Sequence, residues 1–202
     1  MDTPDSGALR LFVAFELPEL LRRRLAEAIE RLRRYDQRAV KWVDPENMHL
    51  TLKFLGETAP EKLGAIKASL GAQLGGNSVV SGAFKMTSQT LGAFPNLKRP
   101  RVFWADCAGG DFGRLAEFAE RIDETLSGLG FEKETRAFKA HLTLGRVRRP
   151  KPASHPADLT ELINQLKAYK YEPIDFEFNR LVLFQSELTR EGPIYTELES
   201  WV

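Results

Sequence analysis

The run LRLFVAFEL, Leu9 to Leu17, is dense in branched and aromatic residues and short, which predicts a strand. Pro18 then opens a different spacing. Leu20, Leu21, Leu25, Ala28, Ile29 and Leu32 fall on one face of a helix whose other face is arginine and glutamate, so the helix should cover a sheet. VKWV (Val40 to Val43) reads as a strand, DPEN (Asp44 to Asn47) as a turn, and HLTLKFLG (His49 to Gly56) as a strand with Leu50, Leu52 and Phe54 facing the helices. Thr58-x-x-Glu61 has the form of a capping box ahead of Leu63, Ile66, Leu70 and Leu74 at helical spacing, and Gly75-Gly76 is a natural stop.

The second half runs in the same order. RVFWADC (Arg101 to Cys107) predicts a strand, Phe112, Leu115, Phe118, Ile122 and Leu126 a helix, and after FEKE (Phe131 to Glu134) comes HLTLGRVR from His141 to Arg148. Leu11 to His49 spans 38 positions and Val102 to His141 spans 39. Repetition at this length implies two equivalent strand–helix–strand units in a pseudo-symmetric structure. Leu159, Leu162, Ile163 and Leu166 suggest one more helix, and FEFNRLVLFQSEL and IYTELESW a closing strand pair with a turn at Gly192-Pro193. The expected class is α+β, mostly antiparallel. Residues 1–202 are expected to form one domain of two half-units, roughly 8–90 and 100–202.

Composition narrows the setting. With 43% hydrophobic and 28% charged residues the chain can bury a sizeable core, which excludes disordered and fibrous classes. Lysine plus arginine (29) nearly cancels aspartate plus glutamate (28), so any anionic ligand must be met by a local basic patch. A lone cysteine cannot form an internal disulfide and MDTPDSGALR lacks the pattern of a secretory signal, so a cytoplasmic location is expected. The longest apolar runs fall short of the roughly 18 residues of a membrane span, so no membrane partner is expected.

The chain holds three histidines, and two of them head the same tetrapeptide, HLTL. Alternation along a strand puts His49 with Thr51, and His141 with Thr143, on the face that core packing does not need. If a pseudo-two-fold axis relates the halves, the two pairs meet across a cleft. Two imidazoles suit two-step proton traffic, since near neutral pH one can accept a proton while the other donates one. Threonine hydroxyls can donate to the non-bridging oxygens of a phosphate or orient the rings. Arg146 adds a planar cationic fork that fits phosphate oxygens. Its odd offset of five from His141 puts it on the wrong face of a regular strand, so its participation needs a bulge or the strand end. Together these residues suit phosphoester cleavage without metal.

The remaining candidates read as structural. Arg148 and Arg149 extend the basic run as a solvated face, His155 lies in the proline-flanked loop KPASHPAD, and Cys107 inside an apolar strand is a small buried side chain. No HExxH, cysteine pairing or third ligand accompanies the two histidines, so no metal is expected, and the absence of GxGxxG and P-loop patterns leaves no cofactor implied.

The pair HLTLKFLG and HLTLGRV resembles the two HxTx signatures of the 2H phosphoesterase superfamily, specifically the RNA 2′,3′-cyclic phosphodiesterases once called 2′-5′ RNA ligases. RLFVAFELP, the loop GAFPN (Gly92 to Asn96) followed by RVFWA, FKAHLTLGRV and GPIYTEL carry the likeness in order through nearly the whole chain. The resemblance implies a bilobal fold, with two mostly antiparallel sheets, helices on their outer faces and a central cleft where the histidines meet. It implies hydrolysis of a terminal 2′,3′-cyclic phosphate to a 2′-phosphate, with His49 as proton donor to the departing 3′ oxygen and His141 as the base that activates water. Thr51, Thr143 and Arg146 would bind the phosphate. The expected partner is RNA with a cyclic phosphate end or a small cyclic nucleotide, met by a monomer. Reversible 2′-5′ joining of tRNA halves and non-catalytic binding of RNA ends are the alternatives. Retention of both histidines and both threonines counts against the second.

Overall fold

The computed structural model describes residues 7–36, 38–74, 83–148, 158–190 and 192–202. Ten strands and four helices are assigned among them. In chain order they are β1 (Leu9–Glu16), α1 (Glu19–Arg33), β2 (Val40–Trp42), β3 (His49–Thr58), α2 (Leu63–Gln73), β4 (Phe84–Ser88), β5 (Leu91–Phe94), β6 (Val102–Asp106), α3 (Phe112–Ser127), β7 (His141–Val147), α4 (Thr160–Ala168), β8 (Ile174–Phe178), β9 (Leu181–Leu188) and β10 (Pro193–Trp201). One sheet has the order β10-β9-β1-β3 and another β2-β7-β6-β5, and β4 and β8 form a two-stranded sheet beyond the two expected. All pairings among these strands are antiparallel, in keeping with an α+β fold. None of the helices is long and apolar enough to cross a membrane.

The repeat seen in the sequence is a repeat of register. In the first sheet Ala14 lies opposite Thr51, Phe15 opposite Leu50 and Glu16 opposite His49. In the second Trp104 lies opposite Thr143, Ala105 opposite Leu142 and Asp106 opposite His141. The sheets do not follow the halves of the chain, however. β2, from the first half, joins the second sheet beside β7, and β9 and β10, from the second half, extend the first sheet beyond β1.

Helix amphipathicity places the core. Leu21, Leu25, Ala28, Ile29 and Leu32 of α1 and Leu115, Phe118, Ile122 and Leu126 of α3 are buried against the helix-facing residues of the sheets, among them Leu11, Val13, Phe15 and Phe103. Burying a side chain of that size contributes roughly 1.5–3 kcal/mol. Leu20 and Phe112, grouped with these faces by spacing, are instead exposed at the helix starts.

Three further expectations are corrected. Thr58 does not cap α2, because it still belongs to β3, where its hydroxyl donates to the Gly56 carbonyl, and a 3-10 turn at Pro60–Lys62 intervenes. FEFNRLVLFQSEL is two strands, since after Phe178 the chain leaves its pairing with β4 and at Leu181 begins pairing with β1. Gly92 to Phe94 of the supposed GAFPN loop lie in β5, where the Trp104 ring occupies the space a Gly92 side chain would need. The Gly75-Gly76 stop, His155 and Arg149 fall outside the described residues.

The strand that carries His49 is tied to the helix of the other half. Lys53 is buried and its ammonium donates to the Asp123 carboxylate of α3 and to the Glu132 carbonyl, while Asp123 also accepts from the Glu134 N–H at 3.2 Å. Breaking a buried pair from one side strands a charge, so Asp123→Ala is expected to lower unfolding free energy by about 3–5 kcal/mol. A urea titration that moves stability by less than about 1 kcal/mol, the worth of an exposed pair, would show that the ammonium finds water or another partner.

Candidate active site

Each HLTL strand departs from regular alternation at its fourth residue. Ala14 and Val13 of β1 lie opposite Thr51 and Lys53, so Leu52 is the extra residue of a bulge. Trp104 and Phe103 of β6 lie opposite Thr143 and Gly145, which makes Leu144 its counterpart. A bulge sends two consecutive side chains to the same side and shifts all that follow by one face. Leu144 is buried with Leu142, and Leu52 packs on the core beside Leu50. The cleft face therefore reads His49, Thr51, Phe54 on β3 and His141, Thr143, Arg146 on β7, and these six residues line a single cavity of about 920 Å³. Ligand cavities commonly measure roughly 300–1,000 Å³.

The bulge at Leu144 supplies the change of face that Arg146 required. The bulge at Leu52 overturns one expectation: Phe54 turns away from the helices, is 65% exposed and faces the cleft, and Lys53 takes the interior position.

Both imidazoles are held the same way. The Nδ1–H of His49 donates to the Asn47 carbonyl and that of His141 to the Lys139 carbonyl, each at 2.8 Å and each two residues upstream. Because a carbonyl can only accept, this contact selects the tautomer with hydrogen on Nδ1 and leaves Nε2 unprotonated in the neutral ring. Phe12 packs against the His49 ring at 4.8 Å and Tyr195 meets it edge-on at 5.3 Å, whereas Phe94 meets the His141 ring edge-on at 5.1 Å. The first sheet coils until its diagonal corners meet, so that Asn47, just ahead of β3, donates from its side-chain amide to the carbonyl of Pro193 at the start of β10 at 3.1 Å. That coil brings Tyr195 to His49.

The electrostatics of the two walls differ. Burial is the main cause that pushes the His49 imidazole down to about 4 from 6.5, with the positive charges of Arg146 and His141 acting in the same direction and the bond to Asn47 opposing them. Tyr195 is raised above its ordinary value by burial, with Arg146 and Arg10 pulling the other way. Arg10, Lys41 and Arg146 all line the cleft, and none is in an ion pair with a described residue. Lys41 and Arg146 are direct cross-strand neighbours, and like charges so placed repel unless an anion lies between them. No cluster of three or more His, Cys, Asp or Glu side chains that could hold a metal occurs among the described residues.

All five site residues named from the sequence thus line one cavity. Arg10, Lys41, Phe12 and the two backbone carbonyls were missed. Tyr195 and Phe94, which contact the two imidazole rings, lie within GPIYTEL and GAFPN, segments that carried the family likeness without a role. Arg148 is exposed, and Cys107 is buried, with burial pushing its thiol well above the ordinary range.

This arrangement, two facing imidazoles and a cationic fork in an antiparallel α+β fold, is what a phosphoesterase of the two-histidine type requires. The family model described as LigT-like phosphoesterase matches residues 15–104 and 111–195, and the chain belongs to that family. It is 37% identical over 191 residues, 94% of this chain and 98% of the relative, to an RNA 2′,3′-cyclic phosphodiesterase of Archaeoglobus fulgidus. It is 35% identical to one of Methanocaldococcus jannaschii over 96% of this chain and all of the relative. Among solved structures, a Thermus thermophilus protein matches with a TM-score of 0.68 at 32% identity, covering 96% of this chain and 97% of that one. Escherichia coli LigT, in a complex with 3′-AMP, matches with a TM-score of 0.70 at 24% identity, covering 96% and 98%, a likeness of fold.

Proposed function

We propose that this protein hydrolyses the 2′,3′-cyclic phosphate at an RNA end to a 2′-phosphate, using His49 and His141 as acid and base and no metal. The observation that carries the reading is the matched pair of imidazoles, each anchored through Nδ1 and each lining the same cationic cleft. The relatives named RNA 2′,3′-cyclic phosphodiesterase support the substrate class.

With the phosphorus between the rings, His141 Nε2 takes a proton from water and the water oxygen bonds to phosphorus. The bond from phosphorus to O3′ breaks, and His49 Nε2–H gives its proton to O3′, which leaves as a hydroxyl. Thr51 and Thr143 donate to the non-bridging oxygens, and Arg146, with Lys41 beside it, offsets the charge that builds on them. His49 must be charged to act, whereas burial holds it neutral near pH 7 in the free protein. The bound phosphate anion supplies the opposite charge that raises it.

Because acid, base and charge stabilisers are all side chains, hydrolysis should proceed undiminished in EDTA and release a 2′-phosphate. Activity lost to chelation and restored by one divalent ion would end the metal-free mechanism. A product chiefly phosphorylated on O3′ would reverse which ester oxygen His49 faces.

A further inference from the structure

Resting on the reading that the cleft holds a nucleoside cyclic phosphate, we infer that Phe54 is the platform on which the terminal nucleobase stacks. Arg146 and Phe54 are counterparts: each is the fifth residue after its histidine, and each is turned into the cleft by a bulge at the fourth position. One wall thus presents a cation at that place and the other an aromatic ring. The substrate is asymmetric in the same sense, since its phosphate is anionic and its base is a flat apolar face.

Phe54 lies where a base would fall. Its ring is 6.1 Å from that of Phe12, which in turn is 4.8 Å from His49, so a phosphate at His49 and a base at Phe54 are separated by about the width of one ring, the place of the ribose. Phe12 cannot itself offer a face, because it is 3% exposed and stacked on Phe184. Three of the large apolar side chains exposed among the described residues, Phe54 at 65%, Leu188 at 70% and Ile194 at 54%, line this one cavity. An apolar wall left open to water inside a cationic cleft marks a place where a ligand completes the packing. Stacking on an aromatic face accepts any base, so the subsite should be tolerant of base identity.

The test measures binding, which separates it from turnover. Adenosine 2′-monophosphate and inorganic phosphate are titrated calorimetrically into the wild type, Phe54→Ala and Phe54→Trp. Phe54→Ala should bind the nucleotide about 5- to 150-fold more weakly while its affinity for inorganic phosphate is unchanged. Phe54→Trp, which keeps a stacking face, should bind the nucleotide at least as well as the wild type. Unchanged nucleotide affinity in Phe54→Ala, or a parallel loss of nucleotide and phosphate, overturns the assignment, the second because it marks a structural role. Absence of nucleotide binding in the wild type overturns it as well. If the wild type binds the nucleotide through Phe54 but hydrolyses no cyclic phosphate, the proposed function fails and the platform stands.

Discussion

Replacing either His49 or His141 by alanine is expected to lower kcat/KM on a 2′,3′-cyclic-phosphate-ended oligonucleotide by about 10²- to 10⁴-fold, the usual worth of a positioned general acid or base. The double variant should lose far less than the product of the two, because the rings act on one transition state and the remaining catalysis comes from binding and charge stabilisation. Thr51→Ala and Thr143→Ala should be milder, since each removes one hydrogen bond to a phosphate oxygen. Steady-state kinetics on the four single variants and the double variant decide the matter. Losses within tenfold for either histidine, or a double variant whose loss equals the product, would mean that the two rings do not share one step.

The second large effect concerns protonation. In the free protein His49 should titrate near pH 4 rather than 6.5, chiefly because its ring is buried and secondarily because Arg146 and His141 are close. The sign for stability follows. Between those two values the unfolded chain binds more protons than the folded one, so stability rises with pH, and it falls as pH drops through the same window. The acid limb of kcat/KM should also bend near pH 4, even with His49 as the donor, because the limbs report the pair of sites and the free enzyme. Saturating inorganic phosphate should move the His49 midpoint upward, and Arg146→Ala should move it upward in the free protein. Nuclear magnetic resonance of the imidazole Cε1–H signals reads all three. A free-protein midpoint at the ordinary value would remove the basis for coupling His49 to the bound anion.

The parts legible in the sequence are those set by period and repetition. Alternation placed His49 with Thr51 and His141 with Thr143 correctly, because nothing interrupts the strands before the fourth residue. The bulges were harder to see, since Leu52 and Leu144 are as suitable for a regular core position as for a bulged one. The odd offset of Arg146 was the trace of a bulge in the second motif, and applying the same shift to the first motif would have turned Phe54 outward. The small β4–β8 sheet lacked a local signal because it pairs segments nearly ninety residues apart in the chain. The break in FEFNRLVLFQSEL did have one: Asn179-Arg180 interrupts the apolar run, and Arg180 there pairs with Glu16 and Glu197. Arg10 and Lys41 were hidden by the near-neutral total charge, which averages away a cationic cleft.

The exchange of strands between the sheets bears on how this protein can use its cleft. β2 is bonded along β7, with Val43 N–H donating to the Leu144 carbonyl and Arg148 N–H to the Ala39 carbonyl at 2.8 Å each, and within a few residues the same chain continues into His49. Widening the gap between the histidines would pull against that ladder, against the buried Lys53–Asp123 pair and against the contact from Asn47 to Pro193. The jaws are riveted at the hinge. A catalyst built this way works by holding two proton carriers at one fixed gauge, and it selects among nucleotides by what fits between stationary walls rather than by closing around them.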